Sequence, residues 1–548
     1  MCAFFFWRVR HHRECTDCRQ RETFLPMSAF LPSVTDSARR VFVLTAVVLL
    51  AFKSVLAASL PLTGDEAYFV LWARNPDWGF YDHPPMVGWW LSALGWISWH
   101  PFMLRLPALL VPLAIGLMTA AALGRLGGSV AWSCATLALL LPLNAWNVAV
   151  TTDVPLMFFG AAAVVAYLRA MRTDRAPDWL LTGAMLSGAL MSKYFAGLLA
   201  IGMFLHLVSR PSRASLRALA LIVVACLPAA ALHLAWNWQN CWPNLMFNLV
   251  NRHGSAGWSW KTPLLYVVTV VYVLTPFVVW QLLRAGGARS GAAAQASADR
   301  PETGAGEARE RAALAWMTGV PLALLGLLSA VKTVGLHWLA AFGAPAVLLF
   351  AFTAPLPVRA RALRFGAAFA ALHWVVIGAL SLTPIEWFAG TRIHDGIVMT
   401  LRPELLNARI APYLDRFEIA ARGYSPAATI GFNLGQPVLV FGPGSGHARQ
   451  DDLLTDFRAL DGRDLLVISK ETPEPADYEP YFGRVEFRHE RILGATFHFV
   501  LGYGFRYDVY RDAVLEEIRT RWYAVPPWLP SGPCYFCDRY FPERACHR

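Results

Sequence analysis

Long apolar segments recur from Val41 to Pro384 and restrict the fold of this chain more than any other feature. A helix that crosses the hydrocarbon core of a bilayer needs about 20 mostly apolar residues. About eleven segments approach this length: Val41–Leu60, Met103–Leu123, Val130–Val150, Val154–Met171, Trp179–Ser192, Tyr194–Val208, Leu216–Trp236, Pro263–Leu283, Ala312–Val331, Trp338–Phe352 and Phe365–Pro384. Charged residues make up 16% of the chain, against about 25% in soluble proteins. The sequence therefore predicts a polytopic α-helical membrane protein of roughly 11 transmembrane helices, embedded in the lipid bilayer.

The distribution of basic residues predicts the orientation of these helices. A net charge of +11 would indicate a nucleic-acid partner in a soluble protein, but membrane proteins concentrate arginine and lysine in their cytoplasmic loops. With the N-terminus in the cytoplasm, five successive inner loops hold Arg125; Arg172 and Arg175; Arg210, Arg213 and Arg217; Arg284, Arg289, Arg300, Arg309 and Arg311; and Arg359, Arg361 and Arg364. We therefore expect no nucleic-acid partner, and we expect Thr63–Met86 and the chain after Pro384 to lie outside.

Composition divides the chain into three predicted domains. Residues 1–40 form a cytoplasmic N-terminal tail that lacks the features of a signal peptide, and Met27 is an alternative start before the first span. Residues 41–385 form the transmembrane domain, with a catalytic outer loop at 63–102 and a flexible cytoplasmic linker at 285–311 that carries no chemistry. Within the loop, Pro85–Trp99 is a short apolar segment predicted to lie at the membrane interface. Residues 386–548 have a soluble composition.

The C-terminal soluble segment alternates patterns typical of strands and helices. The apolar runs Pro437–Phe441, Asp464–Ser469 and Ala495–Phe505 predict strands, whereas Tyr413–Arg422 and Leu453–Leu460 predict helices. This order indicates a C-terminal soluble α/β domain. The glycine-rich stretch Gly442–Gly446 follows a strand, but its spacing favours a turn over a phosphate-binding loop.

Cysteines and histidines gather at both ends of the chain. They are Cys15 and Cys18 with His11 and His12, and Cys534, Cys537 and Cys546 with His547. These spacings are typical of half a zinc site. An odd number of spans would place the two ends on opposite sides of the bilayer, so one shared metal is not expected. A disulfide within the C-terminal trio is the alternative on an oxidising outer side.

Acidic and basic residues follow several outward-running spans. They are Asp65 and Glu66 after the first span, Asp153 and Lys193 after later ones, and Lys332 and His337 in another outer connection. Ionisable groups at membrane depth are costly and usually functional. We therefore expect these junctions to form one patch. Acids and cations at headgroup depth suit group transfer from a lipid-linked phosphate, in which a carboxylate takes a proton from the acceptor and a cation stabilises the leaving phosphate.

Four motifs in this part of the chain are DEAYFVLW at Asp65–Trp72, YDHPPM at Tyr81–Met86, TTDVPL at Thr151–Leu156 and MSKYFAGLL at Met191–Leu199. In that order, they resemble the bacterial GT-C glycosyltransferases. More narrowly, they are similar to the aminoarabinose transferases and protein O-mannosyltransferase-like enzymes of glycosyltransferase families 39 and 83. The resemblance covers roughly residues 40–385. It implies a polyprenyl-phosphate sugar donor, an envelope glycolipid or protein acceptor, lipid A among the glycolipids, and inversion at the sugar carbon on the periplasmic face of the bacterial inner membrane.

The resemblance assigns expected roles to individual residues. Asp65, Glu66 and Asp153 are the expected catalytic acids, with Asp65 as the base. The donor phosphate is expected at Lys193, His83 and Lys332, although the aminoarabinose branch has a lysine at the position of His83. The expected substrate-binding residues are Tyr68, Tyr81, Asp82, Tyr194 and His337. No cofactor is required, although Asp65 and Glu66 leave a divalent cation possible.

Several of these residues have simpler alternative roles. Asp65 and Asp153 are also suited to cap helices, Lys193 could extend its ammonium group towards the headgroups, and His83 could bond a backbone carbonyl. For the whole chain, the alternative is a transporter or flippase of lipid-linked sugars. Transporters place ionisable groups near the middle of the membrane and often contain internal repeats. Here the charged residues gather at one face and no repeat is visible, which favours an enzyme.

Overall fold

The fold is described from a computed structural model that covers residues 34–251, 257–287, 301–443 and 449–544. Within these ranges, seven helices are long and apolar enough to cross a membrane. They are Val34–Ser59, Pro101–Leu126, Asp153–Thr173, Arg213–Gln239, Gly304–Ser329, Leu336–Thr353 and Leu356–Ser381. The predicted multi-pass helical architecture is confirmed at this level. The predicted cysteine–histidine group at residues 11–18, the Met27 start, Cys546 and His547 lie outside the described residues.

Several predicted spans are shorter or broken in the structure. The helices Gly128–Leu140, Ala176–Leu190 and Ala196–Val208 have 13, 15 and 13 residues, below the length of a full crossing. The predicted span Pro263–Leu283 is wrong as a single helix, since Lys261–Leu274 and the helix beginning at Pro276 are bent by 103°. Proline disfavours a helical conformation in the preceding residue and lacks a backbone N–H. These properties account for the break, where Thr275 has a φ of 69°.

Two of the seven spans consist of consecutive shorter elements: Pro101–Leu104 and Leu106–Leu123 in the first, and the 3-10 helix Leu336–Phe342 and Gly343–Thr353 in the second. The span Gly304–Ser329 belongs to the helix Pro301–Ser329. Short helices between the spans are Gly64–Arg74, Met86–Gly95, Pro142–Trp146, Pro243–Leu245 and Pro276–Gly287. The predicted interfacial segment therefore contains a helix, Met86–Gly95. A core of buried apolar side chains runs through the bundle, while many side chains of the Val34–Ser59 and Leu356–Ser381 helices point outward, as expected for surfaces in contact with lipid.

The predicted linker at 285–311 is wrong for its second half. A helix begins at Pro301 and continues to Ser329. Its Glu310 is buried and forms an ion pair with Arg172 at 2.9 Å and another with Arg125. Two arginines of the predicted inner loops thus have a structural role in holding this helix against the bundle, because a buried carboxylate requires a paired charge.

The C-terminal part folds around a five-stranded mixed sheet with strand order β2-β1-β3-β5-β4. The strands are β1 (Glu418–Ala421), β2 (Leu439–Val440), β3 (Leu465–Ser469), β4 (Phe482–Ile492) and β5 (Ala495–Phe505). β1 pairs in parallel with β2 and β3, whereas β5 is antiparallel to β3 and β4. The helices around the sheet are His394–Leu401, Pro403–Ile410, Tyr424–Leu434, Asp451–Leu454, Tyr507–Tyr510, Glu516–Trp522 and Tyr535–Tyr540.

Two predictions within this sheet domain are wrong. The sequence predicts a helix at Tyr413–Arg422, but the last part of this segment, Glu418–Ala421, forms β1, an interior strand of the sheet. Burial between two parallel neighbours overrides the helix propensity of its alanine and glutamate residues. The helix expected at Leu453–Leu460 is split into Asp451–Leu454 and a 3-10 turn at Phe457–Leu460, where the Asp456 side chain accepts the Arg458 N–H. The predicted turn at Gly442–Gly446 lies largely outside the described residues.

A disulfide bond joins the sheet domain to the membrane part. Cys241, which follows the Arg213–Gln239 helix, is bonded to Cys534, 293 residues later. Cys537 is also disulfide-bonded. The expectation of disulfide chemistry among the C-terminal cysteines thus omitted Cys241, whose partner is distant in sequence.

Candidate active site

A cavity of about 360 Å³ lies where the outer-loop helix Gly64–Arg74 meets the beginning of the Asp153–Thr173 helix. Five of the predicted site residues line it: Asp65, His83, Asp153, Lys193 and His337. They come from segments that are up to 272 positions apart, since 337 − 65 = 272. Of the residues expected to form one patch, Asp65, Asp153, Lys193 and His337 line this cavity, whereas Glu66 and Lys332 do not. Trp146, Asn147 and Thr151 also line this cavity and were not singled out as contacts by sequence reasoning.

Asp65 is exposed to the cavity because the residues beside it form the helix cap. Thr63 and Glu66 form a reciprocal capping box, in which the Thr63 hydroxyl accepts the Glu66 N–H and the Glu66 carboxylate accepts the Thr63 N–H. Asp65 is therefore not needed as the cap, and its carboxylate accepts a hydrogen bond from the Tyr424 hydroxyl at 3.1 Å. This arrangement leaves a carboxylate on the cavity wall, where a bound hydroxyl could reach it.

Glu66 does not reach the cavity. It is fully buried, and its two oxygens bind Arg105 at 2.9 and 2.7 Å. One of them also accepts the backbone N–H of Val150. Because the carboxylate is saturated by these donors, the geometry does not fit the predicted catalytic role or a cation held jointly by Asp65 and Glu66. The Glu66–Arg105 ion pair instead connects the loop helix Gly64–Arg74 to the chain around Arg105.

Asp153 and Lys193 form a buried ion pair in the wall of the cavity. The Lys193 ammonium donates to both carboxylate oxygens at 2.8 and 2.9 Å. The exposed fractions are 6% for Asp153 and 5% for Lys193, so Lys193 does not extend to the headgroups. Asp153 provides no side-chain cap to its helix. A buried charge is tolerated when it is paired. The Asp153 carboxylate therefore allows the Lys193 ammonium group to stay charged beside the cavity.

The two histidines frame the cavity from opposite segments. His83 is half-buried, packs edge-on against the rings of Trp72 and Phe247, and precedes Pro84 and Pro85. His337 is the second residue of the 3-10 helix Leu336–Phe342 and precedes Trp338, whose ring is buried. An imidazole N–H can donate a hydrogen bond to a phosphate oxygen, so either side chain is chemically suited to contact a bound phosphate.

The other predicted site residues lie outside this cavity. The Tyr68 hydroxyl accepts the Gln450 N–H at 3.0 Å, and the Tyr81 hydroxyl accepts from the Asn251 side chain. Tyr194 shares a hydrogen bond with His233 at 2.6 Å. Lys332 follows the Pro301–Ser329 helix and is not part of the cavity lining. The geometry thus does not support direct substrate contacts by these four residues.

Asp82 is buried against the sheet domain. Its carboxylate accepts from Arg449 at 3.2 Å. Burial raises the pKa of Asp82, while the neighbouring Arg449 opposes that shift. Asp82 therefore connects the loop to the sheet domain, which does not fit the predicted role in substrate binding.

Sequence reasoning missed the contribution of the sheet domain. Tyr424, Arg449 and Gln450 contact the 63–86 segment, although they lie more than 330 positions after it. No motif marks these three residues, and their placement depends on the packing of the Tyr424–Leu434 helix against Gly64–Arg74. Among the described residues, no group of three or more histidine, cysteine, aspartate or glutamate side chains is arranged to hold a metal ion.

Part of this chain is similar to known glycosyltransferases. Residues 82–236 match the family model described as dolichyl-phosphate-mannose-protein mannosyltransferase. The lipid A galacturonosyltransferase RgtD of Rhizobium johnstonii is 29% identical over 181 residues. That match spans 32% of this chain and 38% of the relative's length.

Two solved structures of an oligosaccharyltransferase from Archaeoglobus fulgidus are also similar. The first contains the archaeal enzyme AglB with an inhibitory peptide and a dolichol-phosphate, and it has 13% identity and a TM-score of 0.41 over 86% of this chain and 74% of that one. The second, a complex with Zn and sulfate, has 13% identity and a TM-score of 0.40 over 85% and 73%. These similarities are too weak to support a functional conclusion.

Proposed function

We propose a function from the premise that this chain resembles the GT-C superfamily of glycosyltransferases. The match at residues 82–236 and the lipid A transferase relative support that premise. The chain would be an inverting glycosyltransferase that moves a sugar from a polyprenyl-phosphate donor to an envelope acceptor. A lipid A or other glycolipid acceptor is favoured over protein, because the curated relative is named for lipid A.

The observation that carries the proposal is the convergence of Asp65, His83, Asp153, Lys193 and His337 on one cavity. Such a cavity combines an accessible carboxylate with a cation that is fixed by a buried partner. These are the groups needed to remove a proton from an acceptor and to stabilise a leaving phosphate.

The proposed reaction follows from these positions. Asp65 accepts the proton of the acceptor hydroxyl. The oxygen of that hydroxyl attacks the anomeric carbon of the donor sugar on the face opposite the phosphate. The bond between that carbon and the phosphate oxygen breaks, and the electron pair leaves with the polyprenyl phosphate. Lys193, oriented by Asp153, and His83 stabilise the negative charge that develops on the leaving group.

The proposed location is the outer face of a bacterial inner membrane, with the sheet domain in the periplasm. The disulfide between Cys241 and Cys534 supports this orientation, because disulfides persist in oxidising compartments. The loop helix and the sheet domain are in contact, so they lie on the same side. Arginines in alternating loops give independent support.

The test compares envelope glycolipids by mass spectrometry from cells with the wild-type chain, with the gene deleted, and with Asp65→Asn at equal membrane level. A general base contributes about 100- to 10,000-fold, so the glycosylated species should disappear in both the deletion and the variant. Asp77→Asn is the matched control, because Asp77 lies in the same loop outside the cavity lining and its side chain accepts only a local N–H from Trp78 among the described contacts.

The remaining outcomes separate the competing functions. If the deletion removes the glycolipid species but Asp65→Asn retains it, the transferase mechanism is wrong and a flippase of lipid-linked sugars is favoured. If glycolipids are unchanged in every strain, a glycolipid acceptor is excluded, and the same comparison of protein glycans decides whether a transferase remains.

A further inference from the structure

The sheet domain touches the candidate base directly, and Tyr424 makes that contact. Tyr424 begins the Tyr424–Leu434 helix, and its hydroxyl lies 3.1 Å from Oδ1 of Asp65. The two helices approach very closely here, since a Cβ atom at Gly64 would lie only 1.9 Å from Oγ of Ser425. The absence of a side chain at Gly64 therefore lets Tyr424 reach the carboxylate.

The Tyr424 ring is held from two sides. The Arg449 guanidinium lies 4.0 Å above its centroid, and the ring of Tyr68 packs against it edge-on at 4.9 Å between centroids. Arg449 is itself fixed by Asp82 at 3.2 Å. A ring clamped between a cation and a second aromatic ring has little freedom to rotate, so the direction of its hydroxyl is set.

The neighbouring residue Gln450 fastens the same loop at two more points. Its backbone N–H donates to the Tyr68 hydroxyl at 3.0 Å, and its side-chain oxygen accepts the Tyr81 N–H at 2.9 Å. The Arg449–Gln450 segment thus contacts the loop at three residues, Tyr68, Tyr81 and Asp82. This connection is more specific than is needed for a domain that only covers the site.

We propose that Tyr424 is a positioning residue for the reaction, donated by the sheet domain, and that its hydroxyl orients the Asp65 carboxylate towards the acceptor hydroxyl. The inference rests on the proposed transferase function. Burial of the ring, followed by the nearby Asp65 charge, raises the pKa of Tyr424 to about 12. The phenol therefore stays protonated at neutral pH and remains a donor to Asp65. The sheet domain would then be a required part of the site.

The test measures the ratio of glycosylated to unmodified glycolipid during the first minutes after induction, at equal membrane levels of each variant. Tyr424→Phe keeps the ring between Arg449 and Tyr68 but removes the hydroxyl. We expect the initial rate to fall about 10- to 100-fold, the range for one hydrogen bond to a charged group. Tyr413→Phe is the matched control, because it removes a hydroxyl of the same domain that accepts from Arg488 away from the cavity.

A double variant separates positioning from a structural role. Asp65→Glu shifts the carboxylate away from Tyr424 but retains a base, so we expect a reduced and measurable rate. If Tyr424 acts through Asp65, adding Tyr424→Phe to Asp65→Glu lowers the rate less than twofold, since effects on one shared contact are not additive. A full 10- to 100-fold further loss would instead indicate a structural role and overturn the inference.

The outcomes also separate this inference from the proposed function. If Asp65→Asn abolishes the product while Tyr424→Phe matches the wild type, only the positioning role is wrong. If Asp65→Asn itself retains the product, the transferase mechanism fails. If Tyr424 only positions Asp65, the thermal unfolding midpoints of Tyr424→Phe and Tyr413→Phe in detergent should be equal. A lower midpoint for Tyr424→Phe alone would indicate that lost stability, and not lost positioning, lowers the rate.

Discussion

At the scale of single residues, neighbours in the sequence have different roles in this protein. Asp65 and Glu66 are adjacent acids, yet the first faces the cavity and the second is buried against Arg105. One residue along a helix rotates the side chain by about 100°, which is enough to separate a surface from a core position. The acidic pair could be found from the sequence, but the division of roles depends on Arg105, which lies 39 residues further on.

The ion pair between Asp153 and Lys193 gives a residue-scale prediction. Lys193→Met alone leaves Asp153 buried and unpaired, and we expect it to lower the free energy of unfolding by about 3–5 kcal/mol. The double variant Asp153→Asn/Lys193→Met removes both charges and should recover most of that stability. It should still lack transfer activity, because the cation beside the proposed donor phosphate is gone. Thermal unfolding in detergent and glycolipid mass spectrometry measure the two effects separately.

An ion pair at the other end of the helix that carries Asp153 is the control. Arg172, near the end of the Asp153–Thr173 helix, pairs with the buried Glu310 of the Pro301–Ser329 helix, away from the cavity. The variant Arg172→Met/Glu310→Gln should change stability without reducing the product formed by each folded molecule. Normal activity in Asp153→Asn/Lys193→Met would show that the pair near the cavity is structural as well.

At the scale of elements, the Glu66–Arg105 pair joins three segments of the membrane part. Arg105 binds Glu66 of the loop helix and also donates to the carbonyls of Ala57, Leu60 and Pro61 at the end of the first span. Glu66 in turn accepts the Val150 N–H ahead of the helix that carries Asp153. The relative placement of Asp65 and Asp153 therefore depends on Glu66, which does not line the cavity itself.

We expect Glu66→Gln to destabilise the fold by about 3 kcal/mol, because it leaves the buried Arg105 charge without its partner. The product formed by each folded molecule should stay near the wild-type value, in contrast to Asp65→Asn. Glu404→Gln breaks an exposed pair with Arg402 and should change stability by less than about 1 kcal/mol. Unfolding midpoints together with activity normalised to folded protein test this pair of variants. A stable but inactive Glu66→Gln would restore Glu66 as a catalytic candidate.

At the scale of the whole molecule, the described residues include a disulfide bond and a set of hydrogen bonds that attach the sheet domain to the bundle. The Cys241–Cys534 bond lies near the apolar cluster in which Tyr81 and Phe247 pack with the core of the sheet domain. Both attachments require the two parts to lie on the same side of the membrane. The orientation of the molecule can therefore be tested through the redox state of these cysteines.

Native membranes are denatured in the presence of an alkylating reagent, with or without prior reduction. We expect peptides that contain Cys241 and Cys534 to be alkylated only after reduction. Cys134 and Cys226 are free thiols and should react without reduction, which provides an internal control. Replacing Cys534 by serine should lower the free energy of unfolding by about 2–5 kcal/mol. Alkylation of Cys241 without reduction in native membranes would contradict an oxidising outer location.

The sequence by itself determined the multi-pass helical character of the chain, the acids and bases at the ends of its apolar segments, and the ordered motifs of the loop. Apolar length and local motifs are properties of short segments, so they can be recognised without a structure. It did not determine the break at Thr275, the helix that begins at Pro301, or the strand at Glu418–Ala421. In each case a proline or a distant packing partner overrides the local preference.

Only the tertiary structure decided which predicted residues line the cavity and which instead hold the surrounding segments together. Asp65, His83, Asp153, Lys193 and His337 come together, while Glu66 and Asp82 are taken up by arginines distant in sequence. Tyr424 could not have been identified at all, because its proximity to Asp65 arises from helix packing between domains. The physical reason is that a side chain's role depends on its burial and its partners, and both are set by contacts between segments that are remote along the chain.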